Sequence, residues 1–119
     1  MAKRFDSWLA LTEEEPIEPG LLICDPHHHF WDRPDDSYLL DDFFRDTGSG
    51  HRVVQTVFVE CRSMYRQDGP TELRPVGETE FVQGITAQSA SGPTAAAAGI
   101  VGYADFNLGS AVTPVLEAH

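Results

Sequence analysis

Three consecutive histidines, His27, His28 and His29, stand between Asp25-Pro26 and the aromatic pair Phe30-Trp31. Imidazole is the commonest protein metal ligand. Side chains alternate faces along a strand, so His27 and His29 are expected on one side and His28 on the other. Imidazoles two residues apart are separated by roughly 6 to 7 Å along an extended chain. That spacing lets both converge on one divalent ion through metal–nitrogen bonds of about 2.0 to 2.1 Å. An isolated His-x-His pair serves equally well as surface or capping histidines, and a His-rich run also takes up metal adventitiously. Position favours the metal reading: the apolar run Leu21-Leu22-Ile23-Cys24 comes immediately before, so the imidazoles sit where a strand runs out.

The elements that must hold these residues follow from periodicity and breakers. Phe5 to Leu11 is a short amphipathic patch, and Glu13 to Gly20 is an acidic, proline-punctuated linker, so residues 1–20 read as an extension ahead of a domain spanning 21–119. Leu21 to Asp25 reads as a strand buried on both faces and ended by Pro26, which has no N–H for a ladder. Ser37 to Asp46 reads as a helix, stopped by Gly48 and Gly50. Val53 to Glu60, rich in β-branched residues, reads as a second strand. After a loop marked by Asp68-Gly69-Pro70, a helix is expected over Val76–Ser89 with Phe81, Val82 and Ile85 inward, broken by Ser91-Gly92-Pro93. Ala95 to Ala98 leads into a third strand, Gly99 to Ala104, and Ser110 opens a last helix.

Alternating strands and helices call for a parallel sheet with right-handed crossovers. Neither a Gly-x-Gly-x-x-Gly fingerprint nor a P-loop follows any strand, which removes support for nucleotide-binding versions. Glu60 ends the second strand with Arg62 just after it. A carboxylate and a guanidinium there orient a substrate, or else close the strand end as an ion pair. Asp105 after the third strand is equally ambiguous. Phe30 and Trp31 wall a pocket or fill a core, and His28 is expected to pack against the interior or a helix.

Composition sets limits. With 41% hydrophobic and 23% charged residues the chain reads as a globular piece. No apolar run approaches the roughly 20 residues of a membrane-spanning helix. Lys3 and Arg4 lack an apolar segment behind them, so no secretory signal is expected and a cytoplasmic location follows. Nineteen acidic against eight basic side chains give a formal charge of -11, which repels phosphate backbones and argues against nucleic acid as a partner. Cys24 and Cys61 end apolar runs and are expected to be small buried thiols.

Asp25-Pro26-His27-His28-His29-Phe30-Trp31-Asp32 is similar to the first-strand Asp-x-His-x-His-x-Trp motif of the amidohydrolase-related proteins, a group of metal-dependent hydrolases with a TIM-barrel fold. Val57 to Arg62 and Ala98 to Asp105 extend the resemblance in order. It implies that the chain is the first three β-α units of a (β/α)8 barrel, an incomplete barrel, with the site at the C-terminal ends of the strands. His27 and His29 would be metal ligands. Asp25 would lie behind them or face the substrate, with a turn-capping aspartate as the alternative. Glu60, Arg62 and Trp31 would line the substrate side.

The resemblance also implies a cofactor and a reaction. The ion would be zinc, with manganese as alternative, its ligand set incomplete in this chain. It would activate water against a lactone, ester or amide of a small-molecule substrate. The acid–base residue is expected beyond residue 119, and a barrel decarboxylase or a noncatalytic truncated fragment are the alternatives. Exposed sheet edges offer a route to oligomerisation, and the isolated chain is expected to be inactive.

Overall fold

The computed structural model describes residues 5–119; residues 1–4, with the N-terminal cations Lys3 and Arg4, lie outside the described part. Among the described residues, strands β1 (Leu22–His28), β4 (Arg52–Val59) and β5 (Ala95–Val101) pair in parallel in the order β1-β4-β5. A separate antiparallel hairpin is made by β2 (Trp31–Arg33) and β3 (Asp36–Tyr38). The α-helices are α1 (Asp6–Leu9), α2 (Leu40–Thr47), α3 (Val76–Ser89) and α4 (Thr113–Ala118).

This is a small mixed α/β fold, and the expectation of three repeated β-α units of a barrel is not met. The hairpin interrupts the passage from β1 to α2, and its second strand, Asp36–Tyr38, takes up Ser37 and Tyr38, which were read as the start of a helix over Ser37–Asp46. Three-residue strands are too short to show a period, whereas Pro34-Asp35 between them is the turn chemistry that pairs them. The last segment is a 3-10 stretch, Phe106–Val112, followed by the six-residue α4. Its backbone neighbours are chiefly that stretch and the 3-10 turn Thr71–Leu73.

The core lies on one side of the parallel sheet. Phe30, Phe43 of α2, Phe58 of β4, Val82 and Ile85 of α3, and Ala96 and Ala97 of β5 form it, with Phe81 partly buried against them. The α3 limits and its inward residues therefore fall where periodicity puts them. The remaining strand residues are open: Leu22 is 60% and Val101 49% exposed. A strand buried on both faces was expected for Leu21–Asp25, but β1 alternates between exposed and half-buried residues because helices cover a single face. Cys24 is correspondingly exposed rather than buried, while Cys61 is half-buried with its Sγ toward the Phe30 carbonyl. Burial pushes the Cys61 thiol up to about 11, the Glu78 carboxylate adding to the effect.

Two irregularities shape the strand ends. Pro26 does not stop β1; the pairing with β4 slips between Asp25 and His28, and the proline sits in that slip, where no ladder N–H is needed. In β5, Ala97 has a φ of 51°, and its N–H bonds to Thr56 Oγ1 at 3.0 Å instead of a backbone carbonyl. The Ala95–Ala98 lead thus belongs to the strand itself, with a side chain from β4 filling the broken ladder. Close approach also marks Gly92, where a Cβ would stand 2.3 Å from the Phe44 ring.

Candidate metal site

The slip in β1 sorts the three imidazoles. His27 is exposed and His29 half-buried, and their ring centres lie 4.9 Å apart in an edge-to-face arrangement. With metal–nitrogen bonds of about 2.0 to 2.1 Å, two imidazole centres on one tetrahedral ion stand roughly 5 Å apart. The observed separation of ring centres is close to that spacing.

The His29 ring is also fixed in tautomer. Its Nδ1 lies 2.7 Å from the Val59 carbonyl. A carbonyl only accepts, so Nδ1 carries the proton, and in the neutral ring Nε2 keeps its lone pair. A metal-binding histidine is commonly set in this way, its second nitrogen donating to a backbone carbonyl. The β1-β4 pairing that brings Val59 beside His29 is what supplies the acceptor.

His28 points into the core. Its ring packs against Phe30 at 4.8 Å, Phe43 at 5.2 Å and Phe58 at 5.9 Å between centres. Its Nε2 is 2.8 Å from Thr56 Oγ1, while its Nδ1 is buried without a hydrogen-bond partner. Burial pulls its pKa below the usual histidine value, and the nearby Asp25 carboxylate opposes this. Such a group binds its proton more readily when unfolded. The fold is therefore expected to hold its full stability above about pH 6.5 and to lose it progressively as pH falls toward the folded pKa. Urea midpoints in chelator-treated buffer between pH 7.5 and 5 check this; a profile identical in His28→Gln would refute it.

Asp25 makes a turn: its Oδ1 accepts from the His27 N–H at 3.0 Å, bridging Pro26. This is the turn-capping geometry, and it also fixes the backbone that carries His27. Trp31 opens the hairpin and stacks on Tyr38 at 5.2 Å, its Nε1 buried without a partner. Glu60 bonds through its N–H to the Val101 carbonyl, so it stands at the C-terminal end of the sheet. Arg62 is exposed in a left-handed conformation, φ 62°, and does not pair with Glu60. The ion pair considered for these two is therefore absent among the described residues. Asp105 caps the 3-10 stretch through Asn107.

Sequence reasoning overlooked Glu78. It is 3% exposed in the first turn of α3, and one oxygen accepts from the N–H groups of Cys61 at 2.9 Å and Ser63 at 2.8 Å. That carboxylate holds the loop leaving β4, in which Arg62 and Met64 both have positive φ. The same loop presses on Gly77, where a Cβ would meet the Met64 carbonyl at 2.7 Å. An acidic residue three positions into a helix was the available signal.

Among the described residues, no group of three or more His, Cys, Asp or Glu side chains is placed to hold a metal ion. His27 and His29 stand together without a third such side chain beside them among the described residues. No family model, curated protein or solved structure matches this chain. The likeness to the amidohydrolase-related group rests on its three short motifs.

Proposed function

We propose that His27 and His29 form the protein part of a divalent-metal site, for zinc with manganese as the alternative, serving hydrolysis of a lactone, ester or amide. The observation that carries this reading is the His29 ring, held through Nδ1 by the Val59 carbonyl, with its centre 4.9 Å from that of His27. A bound ion of this kind supplies Lewis-acid polarisation of a carbonyl and lowers the pKa of water. The chain's own residues orient the two imidazoles: Asp25 fixes the His27 backbone, Val59 sets the His29 tautomer, and Phe58 packs edge-on against the His29 ring at 6.3 Å. Glu60 and Arg62, at the same end of the sheet, are the groups we assign to the substrate side. A cytoplasmic setting accords with the free thiols of Cys24 and Cys61, and no described helix is long and apolar enough to cross a membrane.

Catalytic zinc sites use about three protein ligands, so a pair binds weakly and no turnover is expected of these 119 residues alone. Competition against a chromophoric chelator measures the zinc affinity. The expected result is weak one-to-one binding, reduced about tenfold or more by His27→Ala or His29→Ala, with His28→Gln unaffected. Equal affinity in all four proteins would sink the assignment.

A further inference from the structure

A cavity of about 380 Å³ opens at the C-terminal end of the sheet, among residues that the metal reading does not use. Its size falls in the range of small-ligand sites, roughly 300 to 1,000 Å³. Tyr65, from the loop after β4, and Tyr103, just beyond β5, contribute aromatic rings, and Leu108 adds an aliphatic wall. Glu72 and Asp105 bring two carboxylates to the lining against the single guanidinium of Arg74. Asp105 is held in place through one oxygen, Oδ1, which caps Asn107. Arg74 is partly committed as well, its Nε donating to the Gly69 carbonyl at 3.4 Å. Beyond the lining, burial first and then the Glu78 and Glu60 carboxylates raise the Tyr65 phenol, to about 12, with Arg62 opposing. The chain as a whole carries -11.

Aromatic faces attract cations through the negative side of the ring quadrupole, and carboxylates at the rim add to that attraction. An anion would meet two carboxylates and a single guanidinium whose Nε already donates to Gly69. We propose that this cavity binds a small organic monocation, a protonated amine on an apolar body. The ammonium sits against the Tyr65 and Tyr103 rings, toward Asp105 and Glu72, and the ring or alkyl portion lies against Leu108. The cavity is formed without any residue of β1, so its ligand binds whether or not His27 and His29 hold a metal.

The test uses two probes of matched shape and opposite charge, 2-phenylethylammonium and 3-phenylpropionate, titrated into the full chain at pH 7 and followed by the ring signals of Tyr65 and Tyr103. Saturable shifts with the amine and clearly weaker binding of the carboxylate are expected. Tyr103→Ala should weaken the amine about three- to thirtyfold. Asp105→Asn, which retains the capping oxygen, should weaken it about two- to fivefold. His27→Ala should leave the affinity unchanged, which separates this site from the metal site. Unaltered Phe58 and Val82 signals confirm that each variant is folded, and a variant failing that check is replaced by Tyr103→Leu or Glu72→Gln. No saturable amine binding, equal or tighter binding of the carboxylate, or an amine affinity indifferent to Tyr103 and Asp105 would overturn the proposal.

Discussion

Phe58→Ala is expected to cost the fold about 3 to 5 kcal/mol, the usual range for truncating a buried aromatic. Phe58 is fully buried in β4 and touches the rings that matter on either side of β1. It stacks on Phe30 at 6.2 Å and meets His28 and His29 edge-on at 5.9 and 6.3 Å. Only one face of the sheet is covered, so the core is small and little can collapse into the void. Against a typical total stability of about 5 to 15 kcal/mol, the loss takes much of the margin. Urea denaturation measures it, and Phe58→Leu, which retains most of the volume, should recover more than half. A cost below about 1 kcal/mol would mean that the aromatic cluster does not hold β1 against β4.

Glu78→Ala is the second large effect. It leaves two N–H groups, those of Cys61 and Ser63, without an acceptor, at about 1 to 3 kcal/mol each. Glu78→Gln should cost less, because both N–H groups go to one oxygen and the amide oxygen still accepts them, without the charge. The loss is directional as well as energetic. Arg62 and Met64 hold positive φ values that a non-glycine residue adopts only when its surroundings impose them. With the carboxylate gone, the loop from Cys61 to Tyr65 should relax, seen as faster amide exchange at Ser63 while the exchange at Val82 changes only with global stability. Unchanged exchange at Ser63 in Glu78→Ala would show that the close packing at Gly77 alone fixes the loop.

What could be read from the sequence divides along a physical line. Long elements with breakers at both ends were legible: α3 is bounded by Pro75 and by Ser91-Gly92-Pro93, and β4 declares itself by its β-branched run. Alternation separates His28 from His27 and His29 on paper, but in the structure a register slip between Asp25 and His28 intervenes in that stretch. What escaped was decided by tertiary pairing. The hairpin of Trp31–Arg33 with Asp36–Tyr38 is too short for any period and competed successfully for residues that otherwise extend α2. Pro26 reads locally as a stop, yet a slip in register accommodates it. The barrel expectation came from motifs that specify strand ends, and those motifs carry no information about what lies between the strands or covers the sheet. Glu78 escaped because its partners, Cys61 and Ser63, lie fifteen or more residues away.

The proposed site requires that the Val59 carbonyl hold the His29 proton on Nδ1, which leaves Nε2 as the nitrogen for a metal. Long-range proton–nitrogen NMR of the imidazoles tests it most directly, at pH 7.5 with and without zinc. The expected spectrum shows His29 as the Nδ1–H tautomer before zinc, and zinc moves the unprotonated nitrogens of His27 and His29 together while His28 stays still. A His29 proton on Nε2, or zinc-induced shifts confined to His51 or His119, would contradict the account.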